Sequence, residues 1–293
     1  MKNALQITYW TIGGFEGAKP VEQAMREARE MGYDGLELAF GSGCLAPGVA
    51  EPRCREIRRE AEEMDLRIET LATGVYWQKP LSSPDPKVRR EAVEFTREYL
   101  RVASWIGAKA VLVLPGVVAV PWDPRVPPVP YAAAWKNATE AIRRLVPLAE
   151  RLRVTIALEN VWSWFLGDPV AMRAFVDQFR SRRVGVYLDV GNTLLNGFPE
   201  HWIEILGRRI AAVHVKNFTR QDGGGTLHGF GDDLLKGDAN WPAIVSALRK
   251  IRYAGPVTAE MLPFCRLPDL RLPDLELARD TARKLRRIME ARP

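Results

Sequence analysis

Four residues of types that bind metal ions interrupt apolar runs that are typical of buried strands. Their segments are ALEN with Glu159, VYLDVGN with Asp189, AAVHVKN with His214 and VTAEML with Glu260. A carboxylate or an imidazole is costly to bury without a partner. Three carboxylates at one place would also repel each other strongly unless a cation lay among them. Together the four residues therefore predict a site for one divalent metal ion.

The nature of these ligands restricts which ion is expected. Three carboxylates and one imidazole form a hard, oxygen-rich set that suits Mn²⁺, Mg²⁺ or Co²⁺ better than a structural zinc. We expect one bound ion, with Mn²⁺ preferred and Mg²⁺, Co²⁺ or Zn²⁺ as alternatives.

The chain around these residues alternates short apolar runs with longer amphipathic segments. The runs predict strands at 5–9, 35–38, 67–72, 110–114, 154–158, 184–189, 210–215 and 257–260. Helices are predicted at 21–31, 54–64, 88–106, 131–152, 170–179, 200–206, 241–251 and 275–290. A strand–helix unit repeated eight times predicts an α/β fold, the (β/α)8 TIM barrel, as a single domain over residues 1–293. A doubly wound open sheet is the alternative, but the pair Gly13-Gly14 falls short of that fold's glycine-rich fingerprint.

In such a barrel the four candidate ligands would meet, because their strands, the fifth to the eighth, are neighbours. Long loops at 115–130 and 219–237 leave strand ends on the same side, where TIM barrels place their active sites. The candidate substrate-binding residues in this region are Trp77, Trp122, Trp162, Lys216, Asn217, Arg220 and His228. The tryptophans could form an apolar wall for a sugar, and the polar residues could bind hydroxyls or a phosphate. Packing under loops and ordinary solvated positions are the alternative interpretation of these residues.

Composition and charge fit a soluble globular protein. Hydrophobic residues make up 47% and charged residues 27%, no apolar run reaches the length of a membrane span, and the N-terminus lacks a signal-peptide pattern. We therefore expect a cytoplasmic location and no membrane partner. The net charge of +6 is spread over short basic groups next to acidic residues, so no nucleic-acid partner is expected, although a basic barrel would favour an anionic substrate such as a sugar phosphate. The three cysteines show no CxxC spacing and predict neither a disulfide framework nor a thiolate zinc site.

The metal-binding segments, together with MGYDGLEL, LATGVYW and GDANWPAI…YAGPVTAEM, resemble the xylose isomerase-like barrel superfamily over almost the whole chain. Within it the chain is similar to the sugar phosphate isomerase/epimerase group, which includes ketose 3-epimerases and L-xylulose 5-phosphate 3-epimerases. The resemblance implies that Glu159, Asp189, His214 and Glu260, in this order, bind one metal ion. It also implies a substrate contact for Arg220, six residues after the metal histidine, and a homodimer or homotetramer.

Two positions depart from the pattern of the ketose 3-epimerases. Asn192 stands where those enzymes carry a histidine, three residues after the metal aspartate, and Phe165 stands where they carry a second glutamate. The sequence DVGN is more similar to the phosphopentulose epimerase branch, which makes Asn192 a substrate-binding candidate. Which sugar is recognised, and whether it is phosphorylated, therefore stays open.

The expected activity is that of a divalent-metal-dependent sugar or sugar phosphate isomerase/epimerase. C3 epimerisation of a ketose would pass through a metal-stabilised enediolate, with Glu159 and Glu260 as acid and base. Two such groups are needed because the two hydrogens lie on opposite faces of the carbon, whereas an aldose–ketose isomerase could use one. A dehydratase or lyase acting on a polyol or keto-inositol is the alternative at the same site.

Two further alternatives receive less support from the residues. An apurinic-site DNA endonuclease of this superfamily uses three zinc ions and needs many imidazoles. This chain has three histidines, His201, His214 and His228, and only one of them lies at a strand end. A non-catalytic sugar-binding barrel would not need both Glu159 and Glu260.

Overall fold

Eight short apolar segments form parallel strands in a computed structural model, which describes residues 3–15, 17, 19–41, 45–223, 227–261 and 274–291. The strands are β1 Leu5–Thr8, β2 Gly35–Ala39, β3 Thr70–Ala72, β4 Ala110–Val113, β5 Thr155–Glu159, β6 Val184–Asp189, β7 Ile210–Val215 and β8 Val257–Ala259. Each pairs with the next along the chain, and β8 pairs with β1, so the sheet closes on itself. The closed parallel barrel confirms the predicted (β/α)8 TIM-barrel fold.

Helices connect successive strands and cover the outside of the barrel. The long ones are α2 Val21–Glu30, α3 Glu51–Glu63, α4 Pro86–Ile106, α5 Tyr131–Leu152, α6 Pro169–Asp177, α8 Pro199–Leu206, α10 Trp241–Lys250 and α11 Leu275–Glu290. Three short helices, α1 Tyr9–Gly13, α7 Val190–Thr193 and α9 Arg220–Gly223, follow β1, β6 and β7. Because helices cover the sheet from outside and side chains fill it from inside, nearly every strand residue is buried. This explains why the strands are continuous apolar runs in the sequence.

Local signals in the sequence fix where the long helices begin and end. The side chains of Asp85 and Asp168 accept hydrogen bonds from backbone N–H groups in the first turns of α4 and α6. At the other end, α4 stops at Gly107, whose φ of 93° suits glycine. Helix α5 stops at Arg153, which adopts the left-handed conformation with φ 56°.

The observed boundaries differ from the predicted ones mainly near the site. Strand β5 includes Glu159, whereas β8 ends at Ala259, one residue before Glu260. The sequence pattern also does not predict α1 and α7, because a single helical turn leaves no periodic apolar signal. Helix α7 is functionally relevant, since it begins directly after Asp189.

Polar side chains fill part of the barrel interior beneath the strand ends. Gln6 Oε1 accepts hydrogen bonds from the hydroxyls of Thr70, at 3.3 Å, and Thr258, at 3.2 Å. Linking β1, β3 and β8 in this way satisfies groups that would otherwise be costly to bury.

Cys54 is buried with a free thiol, whereas Cys44 and Cys265 lie outside the described residues. Within the described ranges, no helix has both the length and the apolar character needed to cross a membrane.

Candidate metal centre

The four predicted metal ligands meet at the carboxyl ends of β5 to β8. Glu159 and Asp189 are the last residues of β5 and β6, His214 pairs in register with Asp189, and Glu260 follows β8. One ligand atom from each lies within 4.8 Å of all the others, and all four residues are buried. The structure thus brings together the group that the sequence predicts.

The imidazole of His214 is oriented so that one ring nitrogen faces the three carboxylates. Its Nδ1 lies 3.8 Å from Glu159 Oε1, 3.9 Å from Asp189 Oδ2 and 3.8 Å from Glu260 Oε2. This nitrogen is buried and has no hydrogen-bond partner, which is rare for a buried polar atom. An ion about 2.1 Å from each ligand atom would give ligand–ligand distances of about 3 to 4.2 Å. The residues present therefore fit a single divalent metal ion.

Glu37, a residue of β2 that the sequence analysis does not select, holds the imidazole in this orientation. Its Oε1 lies 2.7 Å from Nε2 of His214, and its Oε2 accepts a hydrogen bond from the Tyr187 hydroxyl. Because a carboxylate can only accept, Nε2 carries the proton and Nδ1 is left for a metal. The available signal was the single charge in the apolar segment GLELA.

One carboxylate oxygen of Asp189 faces the metal centre, because the other accepts a hydrogen bond from a backbone N–H group. Its Oδ1 accepts a hydrogen bond from the N–H of Asn192 at 2.8 Å and so caps α7. The backbone of Asp189 is itself fixed by Asn160, whose amide accepts from its N–H at 2.7 Å and donates to its carbonyl at 2.8 Å. These contacts aim Oδ2 into the cluster.

Lys216, predicted as a substrate contact, lies among the carboxylates. Its ammonium donates hydrogen bonds to Asp189 Oδ2 and to Glu260 Oε2. A metal ion bound to the same oxygens would require this ammonium to move away from them. Gly191 allows the close approach, since a Cβ there would collide with Cγ of Lys216.

Burial and mutual repulsion shift the ionisation of the cluster. Burial, reinforced by the charges of Glu260 and Asp189, raises the pKa of Glu159 to about 7. Burial also raises the pKa of Asp189, although Lys216 opposes this shift. Burial alone would lower the pKa of His214, but the carboxylates of Glu37 and Glu260 outweigh it and raise that pKa well above its ordinary value. The carboxylates of Asp189, Glu260 and Glu159 raise the pKa of Lys216 against the effect of burial.

A cleft of about 310 Å³ is lined by Asn160 and by two of the predicted substrate contacts, Asn192 and Trp162. The indole N–H of Trp162 donates to the carbonyl of Asn192 at 2.9 Å, and the Asn192 amide donates to the carbonyl of Asn160 at 3.0 Å. The cleft is thereby connected through Asn160 to Asp189. Its wall is aromatic and amide-rich, which suits a sugar ring.

Two bulky residues on the rim of this cleft adopt strained backbone angles. Trp164 has a φ of 59° with a largely exposed side chain, and Leu166 has a φ of 57°. Positive φ at such residues costs about 1–3 kcal/mol each and tends to occur at functional sites. In the sequence, Trp164 could belong to an apolar wall for a sugar or to packing under a loop, whereas no pattern singles out Leu166.

The other predicted substrate contacts lie around the mouth. Trp77 and Trp122 pack edge to face with ring centroids 4.5 Å apart. Arg220 donates to the carbonyls of Leu194 and Gly197, so it ties the loop after β7 to the segment after β6.

Asn217 and His228 lie in the loop after β7. The Asn217 side chain donates to the carbonyl of Leu234 at 2.9 Å and accepts from the N–H groups of Phe218 and Ala239. Its amide is therefore used within the loop. His228 lies in the short turn Leu227–Gly229 and is exposed.

Comparisons with known proteins agree with the barrel fold. A family model described as xylose isomerase-like TIM barrel matches residues 25–288. An uncharacterized protein of Methanocaldococcus jannaschii is 25% identical over 246 residues, which is 81% of this chain and 78% of that protein. A D-psicose 3-epimerase of Ruminiclostridium cellulolyticum is 23% identical over 281 residues, 91% of this chain and 85% of that enzyme. The solved D-psicose 3-epimerase from Clostridium cellulolyticum H10 with D-tagatose superposes with a TM-score of 0.79 at 20% identity, over 98% of this chain and 100% of that one.

Substitution of Glu37 tests its role in orienting the imidazole. Glu37→Gln keeps the shape of the side chain but removes the charge that supports His214, so we expect Mn²⁺ affinity to fall by about 10- to 100-fold. Isothermal titration calorimetry measures the change. Tyr187→Phe, which removes only the hydroxyl that donates to Glu37, should have a smaller effect. Unchanged affinity in a folded Glu37→Gln protein would contradict the assignment.

Substitution of Lys216 tests whether its ammonium balances the carboxylates. In EDTA, Lys216→Met should lose about 3–5 kcal/mol of stability, because removing one partner leaves buried charge uncompensated. Saturating Mn²⁺ should reduce this deficit, since the ion neutralises the same carboxylates. Thermal denaturation under both conditions measures it, with Lys250→Met, which removes an exposed ion pair with Glu204, as the control. An equal deficit with and without metal would count against the assignment.

Metal affinity should depend on pH. A bound ion needs an ionised Glu159 and an Nδ1 of His214 that carries no proton, so Mn²⁺ affinity should rise as pH increases through about 7, with proton release. The stability of the metal-free protein should instead fall as pH rises. The raised pKa of Glu159 contributes stability that is present below its ordinary value of 4.5 and is lost as pH rises through about 7.

Calorimetry in buffers of different ionisation enthalpy measures the proton release directly. Glu159→Gln should bind Mn²⁺ more weakly and with a shallower pH dependence. An affinity that does not change between about pH 5.5 and 8 would disprove the assigned protonation states.

Proposed function

This chain belongs to the xylose isomerase-like TIM barrel family, and from that membership and the buried ligand cluster we propose that it is a divalent-metal-dependent sugar epimerase or isomerase. The observation that carries the proposal is the unpartnered Nδ1 of His214 facing three carboxylates. The favoured reaction is epimerisation at C3 of a ketose or ketose phosphate, and the favoured ion is Mn²⁺. A divalent ion held by these residues supplies Lewis acidity, which makes a hydrogen next to a carbonyl more acidic.

Glu159 and Glu260 are the proposed acid and base. Glu159 ends β5 and Glu260 follows β8, the first and last of the four strands that lead to ligands, so they approach the centre from different sides. In our proposal one carboxylate removes the proton from C3, which becomes planar, and the other delivers a proton to the opposite face. The configuration is then inverted with no net gain or loss of protons. The raised pKa of Glu159 suits proton transfer near neutral pH.

The remaining residues around the mouth are proposed to bind and orient the sugar. Asn192 and Trp162 line the cleft, and Trp77 with Trp122 would form a second aromatic surface. The ammonium of Lys216 contacts two of the carboxylates. When it moves away from them, it would still be close enough to the metal centre to contact a substrate oxygen. In the loop after β7, the proposed substrate contacts are His228 and Arg220. Asn217 is proposed to act through this loop, because its side chain holds the loop in place.

The geometry gives no support to a trinuclear zinc nuclease. Within the described part of the chain, the ligand cluster suited to a metal contains four residues and one histidine. His201, on α8, and His228 are not members of that cluster. A trinuclear site would need many more imidazole ligands.

Isotope exchange tests the proposed reaction. The Mn²⁺-loaded protein is incubated in D₂O with ketoses and ketose phosphates, and proton NMR follows exchange at C3 and at C1. We expect deuterium at C3 together with a new epimer. Glu159→Gln and Glu260→Gln should each slow this exchange by about 10²- to 10⁴-fold at saturating Mn²⁺. Glu140→Gln, which changes an exposed carboxylate of α5, is the matched control.

Other outcomes identify other reactions. Exchange at C1 with formation of an aldose would show an isomerase and disprove C3 epimerisation. Loss of water from a polyol or keto-inositol would show a lyase. No exchange with any sugar, despite stoichiometric metal binding, would rule out both the epimerase and the isomerase.

A further inference from the structure

A second cleft lies at the opposite end of the barrel from the metal centre. It has a volume of about 850 Å³, and its floor includes Ala110, Thr155, Val184 and Gly185, which begin β4, β5 and β6. The metal ligands Glu159 and Asp189 end β5 and β6, so the two sites are on opposite faces of the molecule. Neither the proposed activity nor its mechanism uses this cleft.

The lining of this basal cleft is strongly basic. It contains seven basic side chains and one carboxylate, Asp177; the basic residues are Lys109, Arg153, Arg180, Arg182, Arg183, Arg208 and Arg209. The resulting net charge of +6 equals the formal net charge of the whole chain. The excess positive charge of the protein is therefore concentrated at one concave site.

Few of these cations have an acidic partner. Arg209 forms a two-point ion pair with Asp177, with distances of 2.6 and 2.7 Å, and Lys109 lies 2.7 Å from Glu69. A further carboxylate, Glu150, accepts a hydrogen bond from Ser181 next to the cleft. By contrast, the guanidinium groups of Arg153, Arg180, Arg182 and Arg183 form no ion pair or hydrogen bond with any residue that the structure describes.

Two of these arginines adopt backbone angles that are energetically unfavourable for residues other than glycine. Arg153 and Arg180 have φ angles of 56° and 50° and follow the ends of α5 and α6. The left-handed conformation costs a non-glycine residue about 1–2 kcal/mol. Gly107 shows that glycine meets the same requirement at the end of α4. The turns at these two positions therefore do not themselves require arginine.

We propose that the basal cleft binds an oligophosphate, a linear anion with two or more linked phosphate groups. Guanidinium groups match phosphate oxygens in pairs, and several of them converging on a concave surface would favour several linked charges over one. The lining contains no aromatic side chain on which a nucleobase could stack. The phosphate chain itself is thus the recognised feature, rather than a nucleoside or a nucleic acid.

Calorimetric titration with inorganic tripolyphosphate, in EDTA and at low ionic strength, tests the proposal. We expect saturable binding that weakens as salt is added, because these charges are exposed and screened. Arg180→Gln/Arg182→Gln should bind at least ten-fold more weakly. The matched control, Arg26→Gln/Arg59→Gln, removes the same net charge from exposed positions on α2 and α3 and should bind as the wild type does.

Three outcomes would overturn the proposal. Absence of binding at low salt would do so, as would an equal loss of affinity in both double variants, which would show only an effect of net charge. A single-stranded oligonucleotide that binds ten-fold more tightly than tripolyphosphate would identify the cleft as a nucleic-acid site instead. Mn²⁺ binding should be unchanged in the cleft variant, which confirms its fold and separates this test from that of the metal centre.

Discussion

Burial of negative charge at the mouth of the barrel is the constraint on which the rest of the site depends. Glu159, Asp189 and Glu260 converge within a few ångströms, and Glu37 adds a fourth carboxylate on the far side of the imidazole. Removing such groups from water costs several kcal/mol each unless positive charge and hydrogen bonds compensate. The position of Lys216 among these carboxylates follows from this requirement. A divalent cation would meet the same requirement more completely, because it brings two charges to the same oxygens.

The segment DVGN shows how the local sequence serves this constraint. Asp189 ends β6 and also caps α7, which uses one of its oxygens and aims the other at the centre. Gly191 leaves space for the aliphatic stem of Lys216. Asn192 supplies the capped N–H, and its side chain joins the cleft wall. Four consecutive residues thus position a ligand, a compensating cation and a wall of the cleft.

The sequence was sufficient to predict the barrel and the four-residue cluster for a physical reason. Strands of a closed parallel barrel are buried on both faces, so a charge inside an apolar run is conspicuous, and neighbouring strands carry their ends to one place. Glu37 was harder to find, because its partner His214 lies 177 residues away. Lys216 follows His214 by two residues, which puts both side chains on the same face of the extended chain. That spacing was the available signal that Lys216 would face the carboxylates.

The location of the positive charge changes what the net charge implies about the substrate. From sequence alone, +6 favours an anionic substrate, but the structure gathers an equal excess at the amino ends of the strands. The length of β6, from Val184 to Asp189, separates the two ends by roughly 16 Å, at about 3.3 Å per residue. At physiological ionic strength the screening length is about 8 Å. The basal charge is therefore largely screened at the metal centre, and a phosphate on the sugar would have to be recognised by groups at the mouth itself.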